Sequence, residues 1–232
     1  MTRREQRALP EGEEKARVVR QLFDAISPRY DLVNRVMTFG LDVRWRRRAV
    51  RELALPRGSL VFDLACGTGD LCRELEANGL RAVGFDFSHG MLRAARTRVP
   101  LVEADILLLP SGDGIADGAI SGFALRNVVS LPALFAELAR VVRPGGRVSL
   151  LETAEPDGAL LRLGHRVYFR HVVPAIGGLL SDRAAYTYLP RSAVYLPPGE
   201  ELLTMLRDAG FADACRLALT GGVTQLLVAT RT

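Results

Sequence analysis

The sequence predicts an α/β fold built on a seven-stranded, mostly parallel sheet with an antiparallel strand near its end. Three observations predict it. From residue 59 onward, short apolar strands alternate with amphipathic helical stretches, the signature of a parallel sheet. The first strand, 60–64, runs into the turn Ala65-Cys66-Gly67-Thr68-Gly69, and the second, 82–86, ends on an acid, Asp86. The last two strands, 212–219 and 223–229, are joined only by Thr220-Gly221-Gly222, too short for a parallel crossover, so they pair antiparallel.

In chain order, residues 1–17 are charged and aperiodic and read as a mobile tail; 18–232 then form a single domain. Residues 18–52 read as N-terminal helices. Val18, Leu22, Phe23 and Ile26 fall at helical spacing until Ser27-Pro28 breaks the run; Leu32, Val33, Val36 and Met37 mark a second helix ending at Gly40. A third carries Arg44, Arg46, Arg47, Arg48 and Arg51 around Trp45. Within the alternating region a brief third strand lies at 101–104, a fourth at 118–123 and a fifth at 147–151. Between the last two, a helix over 131–142 puts Leu131, Leu134, Phe135, Leu138 and Val142 on one face and is expected to end at Pro144-Gly145-Gly146. Residues 155–198 read as an irregular insertion, and 199–209 as the last helix.

Composition narrows the function classes. At 232 residues, 48% hydrophobic and 25% charged, the chain has the makeup of a soluble globular protein. Cys66, Cys72 and Cys215 have no metal-ligand spacing, which points to free thiols in a reducing cytoplasm and to no metal. No apolar h-region follows the N-terminal arginines, and no apolar run reaches the ~20 residues that cross a bilayer. The net charge of +5 permits nucleic-acid binding without implying it. Among partners we expect no nucleic acid; a peripheral membrane contact and a homodimer are both compatible with the composition.

In an open α/β sheet, ligands sit beyond the carboxyl ends of the strands where strand order reverses. Gly67 and Gly69 let the backbone approach such a ligand closely. Asp86 is placed to accept two hydrogen bonds from a ribose diol, and Asp105, past the third strand, to accept from an adenine amino group with Ile106 packing on the ring. A dinucleotide fold is the rival reading, but Cys72 stands at its third glycine position. Asp70 also puts a carboxylate where a pyrophosphate needs helix amides. That suits a cationic ligand such as a sulfonium. The plain alternative for Asp86 and Asp105 is a helix-capping or turn acid.

The glycine turn, the acid-tipped second strand, the acid after the third and the terminal antiparallel pair together resemble the Rossmann-like class I S-adenosylmethionine-dependent methyltransferases over residues 59–230. Further stretches are similar to one subfamily, the ubiquinone/menaquinone C-methyltransferases: Phe23 with Tyr30-Asp31-Leu32-Val33-Asn34, Leu125-Arg126-Asn127-Val128, Arg143-Pro144-Gly145-Gly146-Arg147, and Pro174-Ala175-Ile176-Gly177 with Tyr186 and Tyr188-Leu189. The resemblance implies S-adenosyl-L-methionine as cofactor, methyl transfer to a ring carbon of a polyprenylated quinol, and a lid over 155–198 on the acceptor side. The expected cofactor-binding residues are Asp63, Gly67, Thr68, Gly69, Asp86, Phe87, Asp105, Ile106 and Gly122; the expected catalytic residues are Arg126, Asn127 and Tyr30.

Arg126, always protonated, suits stabilisation of phenolate charge and not a base. Asn127 would orient a quinol oxygen, Tyr30 and Tyr188 would line the ring pocket, and His165 or His171 would supply a base. Each has a plainer reading: an ion pair for Arg126, a helix cap for Asn127, packing for the tyrosines, surface positions for the histidines. Three departures from the subfamily bear on this. Gly122 stands where a serine is usual, which loses a cofactor contact or passes it to Ser121 or backbone. The lid reads Tyr188-Leu189-Pro190-Arg191-Ser192-Ala193-Val194, and the final strand Val223-Thr224-Gln225-Leu226 lacks a histidine. Two of these lie on the acceptor side, so another small aromatic or polyketide-like acceptor is the alternative. A donor-binding protein without catalysis is the reading from another class.

Overall fold

The computed structural model describes residues 10–156, 158–181, 188 and 191–232. Helix α1 (Gly12–Ile26) begins well before Val18, so residues 12–17 are helix and not tail, while 1–9 lie outside the described residues. The reason is one side chain: Lys15 is buried, its Nζ donates to the Val128 carbonyl at 2.7 Å, and it lies 3.8 Å from the centroid of the Tyr195 ring. A lysine anchored this way looks like a solvated charge in the sequence. Pro28 turns the chain through one 3-10 turn, Ser27–Arg29, into α2 (Tyr30–Met37), and Gly40 at φ 74° starts α3 (Leu41–Glu52).

The sheet has seven strands in the order β3-β2-β1-β4-β5-β7-β6. They are β1 (Leu60–Leu64), β2 (Arg81–Asp86), β3 (Leu101–Glu103), β4 (Ala116–Gly122), β5 (Val142–Thr153), β6 (Phe211–Leu219) and β7 (Thr224–Arg231). Only β7 runs against its neighbours, β5 and β6, as expected from the short final connection. Strand period two separates the cores. Phe62 and Leu64 pack with Phe85, Phe135, Leu138 and Phe211 on one face. Val61 packs with Trp45, Leu53, Leu75, Ile120 and Val228 on the other. Phe135 and Phe211 are fully buried, each contributing about 1.5–3 kcal/mol.

The helices α4 (Asp70–Ala77), α5 (His89–Ala94) and α6 (Leu131–Val141) follow β1, β2 and β4. Ser88 and Ser130 cap the last two by accepting from Met91 N at 3.1 Å and Ala133 N at 3.3 Å. Pro144-Gly145-Gly146 does not end α6. Val142 is already extended, and the tripeptide lies inside β5, where the register with β4 shifts between Ala116 and Gly118 and absorbs it.

The insertion is not irregular where it is described. α7 (Ala159–Val167), a π turn (Tyr168–Val172) and α8 (Val173–Leu180) follow one another, because Pro174 falls in the first turn of α8, where no backbone N–H is needed. Tyr186, Leu189 and Pro190 lie outside the described residues. Helix α9 (Gly199–Asp208) leads into β6.

Candidate functional site

Strand order reverses between β1 and β4, and a cleft enclosing about 790 Å³ opens beyond their carboxyl ends. Its floor is the turn after β1, where Ala65, Gly67 and Gly69 take φ 54°, 56° and 82°. The two glycines differ in purpose. A Cβ on Gly67 would meet nothing within 4 Å, so the missing side chain leaves ligand space. A Cβ on Gly69 would come 2.8 Å from Thr97 Cγ2, so that glycine serves packing behind the floor.

Asp86 ends β2 and ties the floor to α5. Its Oδ2 accepts from Gly67 N and its Oδ1 from Ser88 N, both at 2.8 Å. Burial nevertheless pushes its carboxyl up to about 6, outweighing those donors. Each oxygen keeps acceptor capacity for a ligand hydroxyl. Behind the floor, Asp63 is fully buried. Its Oδ2 accepts from the Cys72 thiol at 3.2 Å, its Oδ1 has no partner, and burial pushes it up to about 7. An unpartnered buried carboxylate oxygen and an open glycine floor suit a ligand with a cationic amino group. They do not suit a pyrophosphate: the Asp70 carboxylate heads α4, paired with Arg73 and, at 3.2 Å, with Arg46.

Of the expected donor-binding residues, Gly67, Asp86, Phe87, Asp105, Ile106 and Gly122 line this cleft. Asp63, Thr68 and Gly69 stand behind its lining. The Thr68 hydroxyl donates to Asp31 of α2, fastening that helix to the glycine turn. Asp105 is exposed, with Oδ1 accepting from Leu107 N at 2.9 Å and Oδ2 left to the cleft. Ser121 does not replace the serine missing at Gly122, because its hydroxyl donates to the Leu64 carbonyl at 2.7 Å. Ala16, Val19 and Phe23 of α1 roof the cleft.

A second, larger cleft, about 2300 Å³ with its open mouth, lies between α2, α3 and α7. Tyr30 and Phe123 border both clefts, so the two meet there. Tyr30 is half-buried, its ring 5.9 Å from Phe23, and burial raises its hydroxyl. Arg126 lines the larger cleft but is not paired with a surface acid: Glu152, fully buried at the end of β5, accepts from its guanidinium and, at 3.2 Å, from its backbone N. Asn127 falls on the smaller cleft and not on the larger one, so orienting an acceptor oxygen does not fit its place; its Oδ1 has no partner. His165 lines the larger cleft with Nε2 unpartnered, and burial lowers its pKa; His171 is exposed and off the wall. Tyr188 is buried, its unpartnered hydroxyl pushed up to about 12, and it lines neither cleft.

Sequence reasoning missed Lys15, Asp24, Asp31, Arg46 and Glu152. Asp24 accepts from Ser88 Oγ at 2.6 Å and Gly90 N at 2.8 Å, docking α1 on α5. Arg46 belongs to the arginine cluster of α3, yet it is buried on the wall of the larger cleft between Asp42 and Asp70. Its spacing is the available signal: it shares the buried face of α3 with Asp42, Ala49 and Val50, and not the exposed one.

The two raised carboxyls set a pH dependence. Between about pH 4 and 7 the folded state holds protons on Asp63 and Asp86 that the unfolded chain has released, so their contribution to stability declines as pH rises through that window. A ligand that donates hydroxyls to Asp86 and places a cation in front of the buried Asp63 favours both ionised, so its affinity should rise from pH 5 to above 7. The ligand-induced gain in Tm should therefore widen across that range. A gain independent of pH would rule out these carboxylates as the ligand's partners.

Comparison with known proteins agrees with this geometry. The profile described as the ubiE/COQ5 methyltransferase family matches residues 11–231. A ubiquinone/menaquinone biosynthesis C-methyltransferase UbiE of Syntrophotalea carbinolica is 45% identical over 216 residues, covering 89% of this chain and 91% of that protein. A demethylmenaquinone methyltransferase of Thermus thermophilus is 43% identical over 221 residues, covering 90% and 100%. Among solved structures, an S-adenosylmethionine-dependent methyltransferase from Thermotoga maritima shares the fold at a TM-score of 0.65 and 19% identity, covering 92% of this chain and 99% of that one.

Proposed function

Because this chain belongs to the ubiE/COQ5 methyltransferase family, we propose that it methylates a ring carbon of a demethylmenaquinol-type polyprenyl quinol. The enzyme is a methyltransferase and its methyl donor is S-adenosyl-L-methionine. The observation that carries the acceptor reading is the junction: two clefts, one floored by glycine and acid, the other apolar, meet at Tyr30 and Phe123. The apolar cleft runs out to the exposed Phe39 and Leu161, which leaves a path for a prenyl tail. A closed pocket would instead favour a small tail-less aromatic.

The donor, when bound, supplies an electrophilic methyl on a sulfonium. Asp86 would hold its ribose hydroxyls, Asp105 its adenine amino group against Ile106, and Asn127 its cationic end, with the Asp63 carboxylate behind the lining adding negative charge. Arg126 spends part of its guanidinium on Glu152 and offers the rest to the phenolate oxygen of the acceptor. His165, held neutral by burial, takes the phenolic proton on Nε2. The ring carbon ortho to that oxygen forms the new bond as the donor's sulfur–methyl bond breaks, and the ring then gives its own proton to solvent at the open mouth of the cleft and regains aromaticity. Most of the acceleration comes from holding the two reactants in line at the junction. We also infer that the acceptor is met at a membrane surface. No helix among the described residues is long and apolar enough to cross a bilayer.

The test is methyl transfer from labelled donor to a demethylmenaquinol with a short prenyl tail, under reducing conditions. We expect S-adenosylhomocysteine and C-methylated product, and a fall in kcat of roughly 10²–10⁴-fold in His165→Gln. Donor binding without product on any quinol would overturn the acceptor assignment; O-methylated product would overturn the chemistry.

A further inference from the structure

Helix α7 carries two adjacent apolar strips. Leu161, Gly164 and His165 mark the side that lines the apolar cleft, while Leu160, Leu163 and Val167, at i, i+3 and i+7, form a ridge 85%, 61% and 51% exposed. No residue of α7 is buried. Phe39, beyond the end of α2, is 78% exposed on the rim of the same cleft. Contiguous exposed apolar surface marks a contact.

The charge beside it says what covers it. On α3, Arg44, Arg47, Arg48 and Arg51 are exposed at i, i+3, i+4 and i+7 along a groove that shares Leu41, Trp45 and Thr220 with the apolar cleft. Arg47 and Arg48 make exposed pairs with Glu74 and Glu52, which are weak in water, while Arg44 and Arg51 face no carboxylate among the described residues. The leucine ridge and the arginine face therefore flank one cleft mouth, in a chain of net charge +5. An apolar insertion edge beside guanidinium groups without an ion pair among the described residues complements an anionic phospholipid surface.

We propose that this rim is the membrane-docking face of the enzyme. Leu160, Leu163, Val167 and Phe39 enter the boundary between headgroups and acyl chains, and Arg44 and Arg51 bind lipid phosphates. The apolar cleft then opens onto the bilayer, and a lipid-tailed acceptor enters without crossing water. The inference rests on the reading that the acceptor is lipid-tailed.

The test is flotation of the full chain with vesicles of phosphatidylglycerol and phosphatidylcholine, against phosphatidylcholine alone, with no acceptor present. We expect binding to the anionic vesicles only, reduced about 10–100-fold in Leu160→Glu/Leu163→Glu and in Arg44→Glu/Arg51→Glu. Calorimetric donor binding and turnover of a short-tailed quinol should stay unchanged in both variants, since none of these residues lines either cleft. No flotation, or flotation insensitive to either variant, overturns the proposal. So does a dimer in light scattering that Leu160→Glu/Leu163→Glu dissociates, which would assign the ridge to a second copy. Competition of duplex DNA for the arginine face would assign it to nucleic acid and overturn the proposal as well. Vesicle binding that persists without quinol methylation defeats the acceptor reading alone; quinol methylation without vesicle binding defeats the docking face alone.

Discussion

Asp86→Ala is expected to weaken S-adenosylmethionine binding by about 10²–10³-fold, read by calorimetry at pH 7.5. Two losses combine. The ribose hydroxyls lose charge-assisted hydrogen bonds, each about 1.5–3 kcal/mol. At the same time the N–H groups of Gly67 and Ser88 lose the carboxylate that both donate to at 2.8 Å, so the floor of the cleft is no longer fixed against α5. Asp86→Asn separates the two effects, because its side chain keeps one acceptor oxygen and loses the charge. It should fall between wild type and alanine. Equal affinity in wild type and Asp86→Ala would mean that the donor does not lie on this floor, whatever else the chain methylates.

The second large effect is on stability. Glu152 is fully buried and accepts from the Arg126 guanidinium, from Arg126 N at 3.2 Å and from Thr153 N at 2.7 Å. Glu152→Ala leaves a buried guanidinium without its counter-charge, a change that costs about 3–5 kcal/mol. For a domain of this size that lowers Tm by roughly 6–20 °C. Adding Arg126→Met removes the stranded charge and should recover most of the lost Tm, while turnover stays low because no cation is left beside the acceptor. A Glu152→Ala protein that melts within about 2 °C of wild type would show that water in the cleft already solvates Arg126.

These two positions illustrate what the sequence discloses. The place of Asp86 on the cleft was legible because its signal is local: an acid at the last position of an apolar strand, the strand after the glycine turn. The parallel sheet was legible for the same reason, since period-two and period-3.6 patterns need only neighbouring residues. Glu152 was not. It follows a run of apolar strand residues and looks like an ordinary strand end, and its partner stands far away in sequence at Arg126. Lys15, Asp31 and Arg46 escaped likewise, because a buried ion pair, a side-chain latch and a solvated charge have the same spelling. The irregular reading of 155–198 failed for a different reason: a proline such as Pro174 stops a helix from within but starts one at its first turn, and the periodicity around it does not say which. Gly67 and Gly69 read alike in the sequence, and only the space around their absent Cβ atoms separates a ligand floor from a packing contact.

Tyr30 and Asp31 are consecutive on α2 and reach different parts of the site. Tyr30 borders both clefts, while Asp31 takes the hydroxyl of Thr68 in the glycine turn. Neighbours on a helix cannot move independently, so a shift of the turn when one substrate arrives displaces the wall that the other will touch. Occupancy on one side must then alter affinity on the other, by the same factor in both directions. In steady-state terms, double-reciprocal bisubstrate plots should cross off the abscissa, and cutting the Asp31 link should move that crossing onto it, the mark of independent binding.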